Sequence, residues 1–385
     1  MSVRILHSIH EVSSDEWNAL EMEGQPFLRH EFLAALEDTG CACVETGWAP
    51  HHLVVTDESS RALQAAMLLY IKAHSFGEFV FDFSWAEAYA QAGLNYYPKL
   101  VSAIPFTPAN GPRILLSAQA TSSIVAELIN QALDVTHEKQ LSSLHVLYAN
   151  ETTRNQLASS TDHEWLPRVS CDFHWNNHGY QSMDDFFDTF RADKRKKAKR
   201  ERRRVVEQGI TFKTLHGHDL TRELCETIFS FSEQTFHEHG HEHYLNAEFF
   251  HRVAQALPTQ IMIKLAEHQG HPVAAGIFFR SHDTLFGRYW GASGNFDSLH
   301  FECCYYQGIE YCIEQGLQKF EPGTQGEHKV ARGFEPTLTH SMHYIRDERF
   351  RAALRPYLQR ERAAVKKYAD AVKEHVPFHR DISAS

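Results

Sequence analysis

The chain has 385 residues and a formal net charge of −11, enough for two or three domains and too mixed in composition for a disordered or low-complexity chain. No window reaches the ~20 apolar residues that a membrane span needs, and the N-terminal Met-Ser-Val-Arg-Ile-Leu-His has neither an h-region nor a cleavage site. The seven cysteines (Cys41, Cys43, Cys171, Cys225, Cys303, Cys304, Cys312) form no Cys-x-x-Cys pair, which argues against a zinc ribbon or a disulfide framework and implies reduced thiols in a cytoplasmic protein.

Periodicity predicts a strand at 3–6, a helix at 15–21 capped by Ser14, a helix at 30–38 closed by Gly40, and a strand at 52–56. The apolar runs 65–72 and 79–83 read as buried strands. A helix at 87–95, a strand at 98–104, a rigid turn at 105–112, a helix at 121–139 and a strand at 143–148 come next. A second unit is expected from about residue 168: a strand at 169–175, one long helix at 183–207, a strand at 210–214, helices at 220–236 and 248–256, and an antiparallel meander at 260–267, 273–280 and 284–292. A helix then starts at Leu299, with Phe301, Tyr305, Ile309 and Cys312/Ile313 on one stripe and Gly316 as its stop. Strands at 319–321 and 340–345 and a closing helix at 347–373 complete the chain. Helices and strands alternating on short connections indicate layered α/β or α+β structure.

Charge is segregated. Residues 191–204 carry ten Lys/Arg and two acids, a net +8, leaving −19 on the rest. Cations on every face of the predicted helix require that most of it stand in water, and Lys or Arg at helical spacing can hold diphosphate, an RNA backbone or anionic lipid headgroups. Arg195, Lys199 and Arg202 are the ones expected to point inward. The run His237-Glu-His-Gly-His-Glu-His243 lacks the His-Glu-x-x-His spacing of a metalloprotease, and no metal site is assigned to it. Walker A, dinucleotide-binding and Gly-x-Ser-x-Gly patterns are absent. Cys303 and Cys304 read as buried helix packing.

The stretch Phe320-Glu-Pro-Gly-Thr-Gln-Gly-Glu-His-Lys-Val-Ala-Arg-Gly-Phe334 cannot be regular structure: three glycines and a proline separate Glu321, Gln325, Glu327, His328, Lys329 and Arg332. Together with Gly287-Arg-Tyr-Trp-Gly291, Leu299-His-Phe-Glu302, Cys304-Tyr-Tyr-Gln-Gly-Ile-Glu310, and blocks at 26–33, 97–108 and 194–209, it resembles the signature of the FemAB-like predicted N-acyltransferases, peptidoglycan biosynthesis/recognition proteins related to the acetyltransferase (GNAT) superfamily. The resemblance covers nearly the whole chain. It implies an α+β fold of two acetyltransferase-like (GNAT/Fem-type) domains in tandem, with mixed, mostly antiparallel sheets flanked by helices. The expected domains are 1–167, with helix 347–375 packing back on it, and 168–346, holding the basic helix 183–207 and the signature loop 320–334. The implied function is transfer of an aminoacyl or acyl group to an amine of a cell-envelope precursor. The alternative is a non-catalytic module that recognises anionic envelope glycans or lipids.

Acyl transfer to an amine requires a proton acceptor, an oxyanion stabiliser and positioning of both reactants. The expected catalytic residues are Glu327 and His328, with Glu302 opposite and Tyr306 able to protonate a leaving group. The expected binding residues are Arg288, Trp290, Glu321, Gln325, Lys329, Arg332, Arg195, Lys199 and Arg202. No tightly bound cofactor is expected, and the donor is either acyl-CoA or aminoacyl-tRNA. The coenzyme A signature is met only in part, by Arg288-Tyr-Trp-Gly291-Ala-Ser293, which ends in Ser and is not followed directly by a helix. Expected partners are an anionic small-molecule or lipid-linked envelope precursor, tRNA and a peripheral membrane contact.

Overall fold

Apolar strands and amphipathic helices can bury their faces only against one another. In the computed structural model, which describes residues 2–58, 61–159, 163–324 and 326–379, they sort into two units. The first comprises Met1–Ser170 and Leu338–Lys366, the second Cys171–Thr337 and Lys367–Ser385. No helix among the described residues is long and apolar enough to cross a membrane.

The first unit contains β1 (Ser2–Leu6), β2 (Trp48–Pro50), β3 (His52–Thr56), β4 (Leu63–Met67), β5 (Tyr70–Lys72), β6 (Lys99–Ser102), β7 (Ile114–Leu116), β8 (Ser143–Val146) and the start of β9 (Leu166–Asn176). One sheet has the order β1-β3-β4-β7, and β2-β5-β6-β8 forms a second row. The helix Ser122–Glu138 buries Ile124, Val125, Leu128, Ile129, Ala132 and Leu133 with Leu53, Val55, Ala65, Met67 and Leu144. The run 65–72 is not one strand: it breaks after Met67, and its two halves join different rows. Leu68 and Leu69 at the break are buried as well, so no change of pattern marks it. Residues 79–83 are not a strand either. Phe79 has φ +59, and the helix, expected from 87, begins at Phe83 and runs to Gln91.

Carboxylates under that segment cause the departure. The buried Lys99 ammonium donates to Ser75 Oγ at 2.8 Å, Glu78 Oε2 at 2.8 Å and Asp82 Oδ2 at 2.5 Å. Burial opposes ionisation of Asp82, but Lys99 outweighs it and holds the carboxyl at about 2. Glu78 is pushed up by burial to about 7. Lys72, lowered by burial to about 7, lies 3.6 Å from the centre of the Trp48 ring.

The second unit adds β10 (Ile210–His216), β11 (Ile261–His268), β12 (His271–Arg280), β13 (Thr284–Ala292), β14 (Lys319–Glu321) and β15 (Glu335–Ile345), which begins here and ends in the first unit. Its sheet runs β10-β11-β12-β13-β14-β9, antiparallel except between β13 and β14. Residues 338–345 group with the first unit, because Met342–Ile345 pairs with Ser143–Val146. The helix expected at 183–207 is two, Met183–Asp188 and Ala192–Glu207. Between them Phe190 is buried against Phe186, Phe187 and Phe378, and the Arg191 amide donates to Pro377 O at 2.8 Å. The helix Arg222–Glu238 passes so close to β13 that a Cβ on Gly291 would lie 2.0 Å from the Phe231 carbonyl carbon. Gly291→Ala is therefore expected to lower unfolding stability by about 3 kcal/mol, seen as a shifted midpoint in chemical denaturation.

Candidate functional site

Parallel strands stay together only while their backbones exchange hydrogen bonds. β13 and β14 do so for three pairs, Thr284–Lys319, Leu285–Phe320 and Phe286–Glu321. The glycine after the third pair permits one more close approach: a Cβ on Gly287 would sit 3.2 Å from Pro322 Cα. Beyond it a cleft of about 350 Å³ opens between Arg288, Tyr289 and Trp290 on one side and Pro322, Thr324 and Gly326 on the other. His300, Cys304 and Tyr305 from the signature helix also line it, as do His328 and Lys329.

That helix is interrupted. Leu299–Phe301 and Gln307–Glu314 flank a π turn, Glu302–Tyr306. The residue inserted by a π turn rotates the next turn of helix about its axis, and Tyr305 and Tyr306 are both buried. The loop then returns as a 3₁₀ segment, Glu327–Arg332, between Gly326 (φ +97) and Gly333 (φ +89), backbone angles that other residues rarely adopt.

Lys329 is 2% exposed and donates to Gly323 O at 2.7 Å and Thr324 O at 3.2 Å. Burial lowers its amine to about 8, with Asp172 opposing. Two of the three ammonium protons are thus engaged, and no further acceptor is found among the described residues. His328 Nε2 lies 2.8 Å from Tyr305 Oη. Burial, then Lys329 and Arg332, lower the pKa of His328, and burial with His328 and Arg332 brings His300 to about 4. Both rings are neutral at pH 7. Burial pushes the Cys304 thiol far up, so it is not a thiolate nucleophile.

Arg332 fixes the floor of the loop. It donates to His328 O at 2.6 Å, pairs with Glu201 at 2.9 Å, and lies 3.4 Å from the centre of the Phe301 ring. Glu201 accepts from Tyr306 Oη at 2.9 Å through its other oxygen. Arg332 and Tyr306 are thus structural supports behind the cleft. Glu201 was not legible as a site residue, although it is the only acid between Lys194 and Arg204. Arg332→Met is expected to cost about 3–5 kcal/mol, because Glu201 would remain buried without its partner; thermal unfolding monitored by circular dichroism measures it.

The remaining expected residues divide. Arg288, Trp290, His328 and Lys329 line the cleft; Glu302, Glu321 and Glu327 do not. Glu302 is buried under Arg202, at 3.1 Å from Nε to each oxygen, in a separate pocket with Glu310 and Lys199. Glu321 is held by Lys319 at 2.5 Å. Glu327 is exposed and accepts from Tyr368 Oη at 2.6 Å. Of the three cations expected to point inward, Arg202 does, whereas Arg195 and Lys199 make surface pairs with Asp188 and Asp184. Gln325 lies outside the described residues. In the His-rich run, His243 is packed between Phe236 and Tyr289 and lowered by burial to about 4. Among the described residues no three His, Cys, Asp or Glu side chains converge to hold a metal.

The family model described as peptidoglycan biosynthesis/recognition, FemAB-like, matches residues 8–380. No curated protein matches. Among solved structures, the C-terminal domain of a putative lysylphosphatidylglycerol synthetase from Agrobacterium fabrum is 10% identical, with 91% of this chain and 97% of that one covered at a TM-score of 0.53. FemX is 11% identical, covering 92% and 100% at 0.52. A conserved protein of unknown function from Bacteroides thetaiotaomicron is 9% identical, covering 89% and 99% at 0.52. At these identities the likeness is one of fold: α+β, with sheets flanked by helices, as in FemX. By the match over almost its entire length, the chain belongs to the FemAB-like family.

Proposed function

We propose that the cleft between β13 and β14 is the active site of an N-acyltransferase that joins an aminoacyl or acyl group to an amine of a peptidoglycan-type or lipid-linked envelope precursor. The observation that carries this reading is Lys329, a buried ammonium with one proton uncommitted among the described residues, placed beside a neutral imidazole in a cleft. Family membership supports the reaction class. The amine nitrogen adds to the donor carbonyl carbon, and the carbonyl electron pair moves onto oxygen, where Lys329 donates a hydrogen bond. His328, neutral and in contact with Tyr305, takes the proton that the attacking nitrogen must lose. The oxyanion then collapses, the acyl C–O or C–S bond breaks, and the leaving group takes from His328 the proton that the ring accepted.

The donor is an aminoacyl-tRNA or an acyl-CoA. On the basic helix, Lys196, Lys197 and Arg200 are exposed and have no ion-pair partner among the described residues, which suits a polyanionic reactant. The test is a thermal-shift and product assay on metal-stripped protein with acetyl-CoA, long-chain acyl-CoA, bulk aminoacyl-tRNA and UDP-linked muropeptide. A mass increase of the muropeptide with one donor is the expected result. Binding of muropeptide without transfer from any donor would favour the recognition module. The rate is expected to fall on both sides of neutrality. On the acid side, at a pH below the ordinary imidazole range because burial, Lys329 and Arg332 lower it, His328 takes up a proton and loses its base function; above about pH 8 Lys329 loses the proton it donates.

A further inference from the structure

The first unit carries a surface feature that the transfer reaction does not use. Phe76, Phe81 and Phe83 are 53%, 51% and 44% exposed. They touch one another, Phe76 to Phe83 at 5.7 Å and Phe81 to Phe83 at 6.2 Å between ring centres. Poor folding does not explain the exposure, because the segment is held from beneath at many points. Lys72 Nζ donates to Phe76 O at 3.2 Å, Tyr148 Oη to Phe79 O at 3.1 Å and Arg168 to Phe81 O at 2.9 Å, while Lys99 holds Ser75, Glu78 and Asp82. Both acids of the segment point inward. From Ala73 to Ser84 the exposed residues are those two ends together with Phe76, Phe81 and Phe83, and none is charged.

We infer that residues 76–83 form an insertion loop for the interface of an anionic phospholipid bilayer. Area and charge select that occupant. Half-exposed, three phenyl groups offer about 300 Å² in all, well short of the ~800 Å² per partner that a stable protein complex or dimer buries. That area is sufficient for aromatic anchoring at a lipid interface, where rings on a projecting loop need no matching pocket. An anionic surface repels carboxylates, and here Glu78 and Asp82 are withdrawn under the rings and paired with Lys99. Insertion of this loop does not depend on acyl transfer at the β13–β14 cleft.

Flotation of the full chain with vesicles of phosphatidylethanolamine and phosphatidylglycerol tests it. The wild type is expected to float. The variant Phe76→Ser, Phe81→Ser, Phe83→Ser is expected to lose at least about tenfold in partition, since it removes most of the inserted apolar area, with little change in melting temperature. The variant Lys196→Glu, Lys197→Glu, Arg200→Glu separates simple charge attraction and is expected still to float. Phe81→Trp supplies a second measurement free of any folding defect: the emission of the introduced indole is expected to shift to the blue on adding vesicles. No flotation of the wild type, equal flotation of the triple serine variant, an unshifted indole emission from Phe81→Trp, or a wild-type dimer that the serine substitutions dissociate would each overturn the inference.

Discussion

Lys329→Met is expected to lower kcat for acyl transfer by about 10²–10³-fold while leaving donor and acceptor binding nearly intact. In the proposed mechanism the ammonium meets the reacting oxygen strongly only when that oxygen carries charge, so its loss is expected to be felt at the transition state more than in the bound complex. Lys329→Arg distinguishes charge from geometry. Guanidinium keeps the charge, but the Gly323 and Thr324 carbonyls are spaced for a compact ammonium, so recovery should be slight. Methionine fills the same volume, so folding should survive, and single-turnover kinetics with thermal unfolding would show it. A Lys329→Met protein that turns over at the wild-type rate would remove the residue from the mechanism.

A stability effect as large as that at Arg332 is expected at Lys99. Lys99→Met would leave Glu78 and Asp82 buried without a counter-ion and cost about 3–5 kcal/mol, measured by urea denaturation. Glu78→Gln should cost far less, because burial already places the Glu78 carboxyl near 7, half protonated in neutral solution. The two carboxyls have opposite pH signatures. Asp82 is depressed from 3.8 to about 2, so its stabilisation is present above the unfolded value and lost as pH falls through that window. Glu78 is raised from 4.5 to about 7, so the native state binds the extra proton there and stability declines as pH rises through that interval.

Much of the second unit was legible in the sequence because its elements signal locally. The meander alternates or runs apolar between turns at Gly270 and at His282-Asp283, and all three strands fall within a residue or two of expectation. The location of a polar, glycine-hinged loop was legible for the same reason. Which of its side chains face the cleft was not. Glu327 and His328 are neighbours in sequence, and a 3₁₀ turn sends one to Tyr368 and the other to Tyr305. Glu201 and Arg332 are 131 positions apart, so no local pattern announces their pairing. The segment 79–83 reads as a strand by composition, since nothing in Phe-Val-Phe-Asp-Phe shows that Lys99 will claim its aspartate.

The division of the chain bears on its synthesis. Neither unit is a contiguous stretch: the first needs Leu338–Lys366 and the second needs Lys367–Ser385. On a ribosome, β8 therefore waits for its β15 partner until residues 342–345 have been made. The phenylalanine core around Phe190 waits longer still, for Phe378. Completion of both units is thus deferred until segments far downstream of their first strands have been made, and a fragment ending near residue 170 would release a first unit without the strand that caps its second row.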